Sequence, residues 1–528
     1  MIRRLKFWDS EFTVARAATI IGLFTLATKI SALFRERLFA AAFGQGQISD
    51  SYFAAFRVPD FVTNLFVLST LSVAFLPVFS KEKTKDPASA NAFANTTLDA
   101  ALIFISLVCL LLLIFSRPLT QLLVPGFSGE QFFSTLQLTR LFLITPIIFA
   151  ASTVFGGVLN AHKKFLITSF APLLYNLGII AGIVFLYPKF GIMGLGYGVL
   201  LGGLAQLLIQ LAGILASGFK WQWNPHFKTP VFMHMLKLYT PRILTFDLAN
   251  VTLILSTILA SKALSGSITA INQSFNLQSV PVGIFAYALA SAIFPVLSEE
   301  YAKNDEPSFV KSLQNTIRQI IYLMVPVTVF MIVFRAFIVR LILGSGNFTW
   351  ENTITTLTFL GIFSVSLLSQ SLTTLFSRAF YSRHNTKVPV IANLWSIGLN
   401  VLLSIFLFKY LKAEGLVISF VVASFFNAGF LLVVLRRNLI KECGKALISA
   451  AENSLWDNFL KVFLSAMVSG GVSYIALRIF EPLVNTQTFI GILIQSGLSG
   501  FLGVVSYVAL TSVLKLPESK NILNIFRK

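Results

Sequence analysis

Four cations lie in the interior of the first two long apolar stretches of the chain, at least five residues from their ends, where charged side chains are rare. Lys29, Arg35 and Arg37 belong to the first stretch and Arg57 to the second. A charge near the centre of a bilayer costs roughly 2.5 to 3.5 kcal/mol, so it is retained only where it faces a polar interior or a partner. The carboxylates of the same stretches are Glu36, Asp50 and Asp60. The surplus of cations predicts a binding site for an anionic ligand within the membrane.

The composition predicts the elements that must position these cations. Of the 528 residues, 56% are hydrophobic and 12% are charged, and the mean hydropathy is +0.80. A membrane helix needs about 20 apolar residues, so we predict an all-α polytopic membrane protein with about fourteen transmembrane helices. The predicted spans are 13–42, 51–79, 92–115, 132–159, 166–187, 192–216, 232–260, 267–297, 316–343, 354–381, 388–408, 414–435, 457–480 and 487–514.

The distribution of Lys and Arg in the short loops predicts the orientation. Basic residues recur in the loop after every second span, as at Lys81, Lys163 and Lys220, whereas the loops 44–49 and 344–352 carry almost none. Basic loops stay in the cytoplasm, so both termini are predicted to be cytoplasmic. The formal charge of +20 is then mostly loop charge beside anionic lipid headgroups. No nucleic-acid partner is expected.

An internal repeat divides the chain. Val58-Pro59 recurs 222 residues later as Val280-Pro281, and Pro77 recurs as Pro295 within similar segments. Six predicted helices separate the copies, and because six is even, both copies insert in the same direction. We therefore predict two six-helix bundles related as parallel repeats, over 1–217 and 218–440, followed by two further helices and a cytoplasmic tail over 441–528. Such repeats are typical of alternating-access transporters.

Cysteine and histidine give no sign of a disulfide or a metal site. Cys109 lies in an apolar span and Cys443 in a predicted cytoplasmic loop, at different levels of the membrane. The four histidines have no metal-ligand spacing. An enzyme would need acidic metal ligands or a catalytic base at a membrane face. No such cluster, P-loop or paired-histidine motif occurs in the sequence, so neither enzyme activity nor a cofactor is predicted.

Several segments resemble a known family. The sequences at 28–36, 49–59 and 74–79 read TKISALFRE, SDSYFAAFRVP and AFLPVF. They resemble the opening pattern of the MviN/MurJ family of lipid II flippases. GVLNA at 157–161, FAPLLYN at 170–176, TPRIL at 240–244 and AFYS at 379–382 are also similar to that family. The resemblance spans roughly residues 13–440, and the two C-terminal helices look like those of the family too.

The resemblance implies an exporter of the multidrug/oligosaccharidyl-lipid/polysaccharide superfamily. Such a protein would move lipid II, the undecaprenyl-pyrophosphate-linked peptidoglycan precursor, from the inner to the outer leaflet of the bacterial cytoplasmic membrane. The partners it implies are this lipid-linked anion and membrane lipids, with cell-wall synthesis proteins as further candidates and the chain itself a monomer. The residues it assigns to substrate binding are Lys29, Arg35, Asp50, Arg57 and Arg242.

Some positions allow other interpretations. Arg37 is near the outer end of its span, where a long side chain reaches water or headgroups. Arg242 lies at a predicted cytoplasmic end, where basic residues need no substrate. Thr63 and Asn276 stand where the family usually has arginine. These departures indicate a divergent member, or an exporter of another lipid-linked oligosaccharide or polysaccharide.

Energy coupling is assigned to the seventh and eleventh predicted helices. Asp247 is the carboxylate of the seventh span, and in related transporters such a residue joins the eleventh helix in a cation site. Ser396 and Asn400 lie at i and i+4 there, on one helical face. One carboxylate with neutral oxygens suits Na⁺ or H⁺ better than a divalent ion. Alternatively, Asp247 is only hydrogen-bonded within the bundle, and the membrane potential drives transport.

Overall fold

Helices form the whole of the regular structure in the part of the chain that the structure describes. A computed structural model of the protein describes residues 14–223, 226–243, 248–486 and 488–519. No strand occurs in these ranges, which confirms the predicted all-α class. The chain forms two compact units.

The first unit contains the described residues up to 243, together with Ala260–Thr269 and Ser345–Phe348. Its helices are α1 (Val14–Phe43), α2 (Gln47–Ala55), α3 (Arg57–Val62), α4 (Ser72–Lys85), α5 (Pro87–Ile114), α6 (Ser116–Leu123), α7 (Gly129–Phe142), α8 (Thr145–Ala161), α9 (Phe165–Ala181), α10 (Tyr187–Phe190), α11 (Ile192–Ala216) and α12 (Pro230–Ile243). π-Helical segments connect α3 to α4 over Thr63–Leu71 and α9 to α10 over Gly182–Leu186.

The remaining described residues form the second unit. The helices after residue 247 are α13 (Leu248–Ala260), α14 (Ser267–Pro281), α15 (Tyr287–Ala302), α16 (Glu306–Val333), α17 (Arg335–Ile342), α18 (Trp350–Ser364), α19 (Leu367–Ser382), α20 (Lys387–Cys443), α21 (Lys445–Phe480) and α22 (Phe489–Val513). A π-helical segment over Val282–Ala286 connects α14 to α15, and a 3₁₀ turn over Glu481–Leu483 follows α21. The predicted boundaries at 217 and 440 describe the repeat, and they stay a prediction.

The helices of the first repeat recur in the second. The succession of α5 to α8 recurs as α16 to α19, including the short helices α6 and α17 that hydropathy alone did not predict. A ring pair recurs as well: Phe79 and His162 have centroids 6.2 Å apart, and Tyr301 and His384 have centroids 6.3 Å apart. The second span of each copy also contains a π-helical segment shortly after a proline, Pro59 in the first copy and Pro281 in the second.

The number of spans differs from the prediction. Within the described residues, nine helices are long and apolar enough to cross a membrane, or ten if α18 and α19, which are bent by 42°, form one span. The predicted fourteen are therefore not confirmed. One reason is α20, which has 57 residues and contains both the eleventh and the twelfth predicted spans. Lys412 breaks it with φ 48° and ψ −130°.

The three other differences have local causes. α1 is not among the helices that qualify as spans, and its second half contains the charged residues Lys29, Arg35, Glu36 and Arg37. The second predicted span is divided among α2, α3, a π-helical segment and α4. The seventh is represented by α12 and α13, on either side of residues 244–247, which lie outside the described residues.

Glycines bring α9 and the π-helical segment that follows it into backbone contact with α11. A Cβ atom added at Gly178 would lie 2.2 Å from the Cα of Gly202, and one added at Gly198 would lie 2.4 Å from the Cα of Gly182. Helices in a bilayer pack closely where small residues allow it. The contact holds α9 in the position from which it reaches α1.

We expect Gly178→Ala to lower the thermal stability of the purified protein. The added methyl group meets main-chain atoms, which cannot rotate away, and overpacking of this kind costs about 1 to 3 kcal/mol. The measurement is the temperature at which half of the protein remains monodisperse in detergent. The matched control is Gly497→Ala in α22, where an added Cβ meets nothing within 4 Å. Equal midpoints for the two variants would contradict the expectation.

Candidate functional site

An asparagine connects α9 to the cationic face of α1. The Asn176 amide Nδ2 donates to the carbonyl oxygen of Thr28 at 3.2 Å and to the hydroxyl of Ser31 at 2.9 Å. Its Oδ1 accepts from the Arg35 Nη1 at 3.0 Å. Because a guanidinium only donates, the oxygen of this amide must face Arg35. Asn176 therefore orients the Arg35 side chain relative to α1 and α9.

The charge of Arg35 is shared with the next residue. Its Nη2 lies 2.7 Å from the Glu36 Oε1, and the two side chains are 23% and 14% exposed. An ion pair this shielded from solvent is stronger than a surface pair. Arg35 is thus fixed in position by Asn176, and its charge is partly neutralised by Glu36. Part of its side chain remains accessible.

Lys29 has a different environment. Its side chain is exposed, and so are those of Leu26 and Ile30. Within the described part of the chain, the Lys29 ammonium makes no hydrogen bond and no ion pair. It precedes Arg35 by six residues, which is about 9 Å along a helix. Of the two cations, Lys29 is the one whose charge remains available to an anion.

Aromatic contacts position α2 against α1 and α7. Phe39 of α1 has its ring centroid 4.8 Å from that of Tyr52 in α2. Tyr52 in turn contacts Phe142 of α7 edge to face at 5.9 Å, and Phe56 stacks on Phe142 at 4.1 Å. Ring pairs in these arrangements stabilise by about 0.5 to 1.5 kcal/mol beyond the area that they bury. The start of the second predicted span is therefore fixed within the first unit.

Both carboxylate oxygens of Asp50 accept hydrogen bonds. Oδ2 accepts from the backbone nitrogen of Gly266 at 2.7 Å, and Oδ1 accepts from the Thr269 backbone nitrogen at 2.8 Å and the Thr269 hydroxyl at 2.6 Å. Asp50 is 2% exposed. Because Ser267 begins α14, the carboxylate caps that helix and lies beside the positive end of its dipole. The geometry is that of a helix cap.

A second segment is held in the same unit. The Asn347 backbone nitrogen donates to the carbonyl oxygen of Ala41 at 2.8 Å, and its side chain donates to that of Ala42 at 2.8 Å. Gly346 has φ +55°, and a Cβ added there would lie 2.4 Å from the Ala41 oxygen. This close approach requires glycine. The end of α1 is thus bound by Ser345–Phe348, as α2 is by Ala260–Thr269.

Arg57 and Thr63 are close to Pro59 of the second span. The other position that departs from the family pattern, Asn276, lies in α14, five residues before the proline that ends this helix. Arg57 is 7% exposed and interacts electrostatically with Asp60 one turn later in α3. The Thr63 hydroxyl is buried and donates to the Pro59 carbonyl oxygen at 2.9 Å. Asn276 is exposed. Neither neutral side chain supplies the positive charge that arginine would bring.

The assigned coupling residues are only partly described. Ser396 and Asn400 are buried in α20, where the Ser396 hydroxyl donates to the Ala392 carbonyl oxygen at 2.7 Å. The Thr252 hydroxyl of α13 donates to the Asn400 Oδ1 at 3.1 Å. The buried Nδ2 of Asn400 has no partner in the described part of the unit. Asp247 lies outside the described residues.

Arg242 is described only in its backbone. It belongs to α12, and nothing is described of its side chain. Its assignment to substrate binding stays a prediction, as do those of Lys29, Arg35, Asp50 and Arg57. Arg37 is half-buried in the last turns of α1.

Sequence reasoning did not find the partners of these residues. Asn176 was identified as part of a motif but not as the partner of Arg35, and Gly266 and Thr269 were not associated with Asp50. One signal was available, because a proline followed four residues later by asparagine occurs in both repeats. In the second copy Asn393 also bonds to a distant residue, since its Oδ1 accepts from the Nδ2 of Asn427, beyond the break at Lys412 in α20, at 3.3 Å.

Known proteins share this fold. A solved structure of the lipid II flippase MurJ in an inward closed conformation matches with a TM-score of 0.77 and 22% identity, over 94% of this chain and 98% of that one. An inward-facing multidrug resistance transporter of the MATE family and MOP superfamily matches with a TM-score of 0.64 and 16% identity, over 83% of this chain and 99% of that one.

Sequence comparison relates this chain to a family of proteins as well as to a fold. A protein of Buchnera aphidicola named "Probable lipid II flippase MurJ" is 27% identical over 513 residues, 96% of this chain and 98% of that protein. One of the same name from Borreliella burgdorferi is 27% identical over 400 residues, 76% of this chain and 79% of that protein. The family profile described as "Lipid II flippase MurJ" matches residues 39–494. Because that match covers most of the chain, this protein belongs to the lipid II flippase MurJ family.

Proposed function

We propose that this multi-pass membrane protein moves lipid II from the inner to the outer leaflet of the bacterial cytoplasmic membrane. The observation that supports this function most is the family match over residues 39–494. In the proposed orientation both termini are cytoplasmic, in agreement with the basic loops. The protein acts as a transporter, and no bond of the substrate is broken.

The cations of the first unit supply the recognition of the substrate. A pyrophosphate has several acceptor oxygens and at least two negative charges, and charge-assisted hydrogen bonds to it are strong where water is excluded. Lys29 makes the first such bond because its ammonium is uncompensated. Arg35 and Arg57 are partly neutralised by Glu36 and Asp60, so they add to the field without binding the anion so tightly that it cannot leave.

Alternating access needs contacts that form in one state and break in the other. We assign this role to the hydrogen bonds of Asp50 with Gly266 and Thr269. The segment that they hold connects α13 to α14 in the chain. Opening of the protein on the side where Asp50 lies requires the segment to leave Asp50. The loss of these charge-assisted bonds sets part of the free-energy barrier to that opening.

For energy coupling we propose a monovalent cation or a proton that binds at Asp247 with Ser396 and Asn400. The amide of Asn400 has one buried atom without a partner, and a 180° flip of the amide would present Oδ1 in its place. We expect Asn400→Ala to reduce the dependence of lipid II transport on the ion gradient in proteoliposomes. The control is Asn385→Ala, in the turn before α20. A gradient dependence equal in all three proteins would contradict the assignment.

Rescue of a bacterium depleted of its own lipid II flippase tests the proposed function. Expression is verified by immunoblotting, and transport is measured as lipid II that becomes accessible from the outer face. We expect growth and accessible lipid II to be restored together. If the well-expressed protein restores neither, the substrate is another lipid-linked glycan, and mass spectrometry of the lipids that copurify with the protein identifies its headgroup.

A further inference from the structure

The second unit contains a cavity that the transport cycle described above does not use. Its volume is about 790 Å³, which is within the range of sites for small molecules. It is formed by the end of α16, by α17, by the start of α18, and by the adjoining ends of α21 and α22. The walls combine aliphatic side chains with three arginines, one glutamate and three aromatic rings.

The charge of this cavity is positive. Arg478 is paired with Glu481, with the Nη1 3.2 Å from Oε2. The guanidinium groups of Arg335 and Arg340 have no hydrogen bond and no ion pair within the described residues, and the guanidinium carbon of Arg340 lies 5.4 Å from the ring centroid of Trp350. The one carboxylate of the described wall, Glu481, is engaged by Arg478, so Arg335 and Arg340 line the cavity without an ion-pair partner in the described residues and predict an anionic occupant.

One glycine gives the Arg335 side chain its space. A Cβ added at Gly361 of α18 would lie 3.3 Å from the Arg335 Cδ and 3.5 Å from its Nη1. Arg335 begins α17, and Arg340 lies five residues later in the same helix. The short helix therefore presents both guanidinium groups to the cavity lined by α21 and α22.

The location is unusual for arginine. The loops 344–352 and 481–488 belong to the side that the basic loops predict to be outer, and positive charge is generally sparse there. Trp350 is 60% exposed and Tyr474 is 53% exposed, and such rings are enriched at the level of the lipid headgroups. The arginines thus lie where the phosphate groups of an outer leaflet lie.

Apolar side chains complete the cavity. Ile332, Leu357, Leu477 and Ile492 are among its walls, and the neighbouring Ile475 and Ile479 on α21 are exposed. A small soluble anion would leave this apolar surface uncovered. A lipid would cover it with the first segments of its acyl chains while its phosphate met the guanidinium groups.

We propose that this cavity binds an anionic glycerophospholipid of the phosphatidylglycerol type. The phosphate lies between Arg335 and Arg340, and the acyl chains lie along the aliphatic wall toward α21 and α22. The bound lipid joins α17 to the two C-terminal helices. This site is distinct from the proposed transport machinery, because none of its residues is assigned to substrate binding, to the Asp50 contacts or to energy coupling.

Native mass spectrometry of the full-length protein in detergent tests this site. The probes are phosphatidylglycerol and phosphatidylcholine with the same acyl chains. We expect the wild type to retain phosphatidylglycerol preferentially. Replacement of both arginines, by Arg335→Gln with Arg340→Gln, is expected to weaken its binding at least about tenfold, since each lost charge-assisted bond contributes about that factor. The control Arg117→Gln, in the corresponding short helix α6, should bind as the wild type does.

A second measurement leaves the arginines in place. Phosphatidylglycerol brominated near the carboxyl end of its acyl chains should quench tryptophan fluorescence more in the wild type than in Trp350→Phe. Equal affinity of the wild type for the two lipids, or equal phosphatidylglycerol binding in the double variant, would overturn the proposal. Displacement of phosphatidylglycerol by undecaprenyl pyrophosphate at lower concentration would also overturn it, and would assign the cavity to the transported lipid.

Discussion

Replacement of Lys29 by glutamine should abolish lipid II transport while the protein remains folded and inserted. Lys29 is exposed on α1 and lacks an ionic partner among the described residues, so its removal leaves no carboxylate or amide unsatisfied. The lost bond to the pyrophosphate contributes about 1.5 to 3 kcal/mol, equivalent to roughly a ten- to hundredfold loss of affinity. The measurement is the initial rate of lipid II translocation in proteoliposomes, together with growth of the depleted strain.

Two variants make this result specific. Lys29→Arg keeps the charge and adds a planar fork that suits phosphate, so it should retain transport. Lys81→Gln makes the same chemical change at an exposed position at the end of α4 and should leave transport unchanged. Wild-type rates from Lys29→Gln would show that the anion binds elsewhere and would leave the cations of α1 without a function.

Substitution of Arg35 is a less decisive test of whether the cations of α1 bind the substrate. Its guanidinium bonds to Asn176 and Glu36, so Arg35→Ala would leave an amide oxygen and a carboxylate without their donor. A buried group that loses its partner costs about 1 to 3 kcal/mol in stability. Loss of transport in that variant would combine a binding effect with a folding effect, whereas Lys29 separates them.

Hydropathy and charge were sufficient to predict the class of protein and the position of its cations. The surplus of Lys29, Arg35, Arg37 and Arg57 over nearby carboxylates can be read from the sequence. The repeat can be read from the spacing of its prolines. Sequence could not distinguish the cations from one another. Arg35 is partly neutralised by Glu36 and is held by a hydrogen bond to Asn176, which lies 141 positions away. Only the packing of α1 against α9 creates that difference.

The predicted count of fourteen spans is not confirmed for a related reason. Hydropathy measures whether a segment can be buried in lipid, and it does not register where a helix breaks. Lys412 has a positive φ in the middle of α20, and a π-helical segment begins at Thr63 inside an apolar stretch. Both are local backbone features that average composition does not detect. The short helices α6 and α17 were missed because eight residues are too few to show a periodic pattern.

Asp50→Asn should open the segment Ala260–Thr269 to solvent exchange. The carboxylate accepts three hydrogen bonds, from the Gly266 nitrogen and from the nitrogen and hydroxyl of Thr269. An asparagine has one acceptor oxygen, and its amide nitrogen would face a backbone donor. Each donor left unsatisfied costs about 1 to 3 kcal/mol, so exchange of these amides should accelerate at least about tenfold.

Hydrogen exchange followed by mass spectrometry reports on the peptide that contains 260–269, and a transport assay on the same preparations reports on the cycle. The control is Glu130→Gln, which removes an exposed carboxylate at the start of α7. Faster exchange together with altered transport would identify Asp50 as part of a gate. Lost transport with unchanged exchange would instead return Asp50 to the substrate-binding role that the family resemblance implies, because a residue that contacts the substrate can be essential without holding this segment.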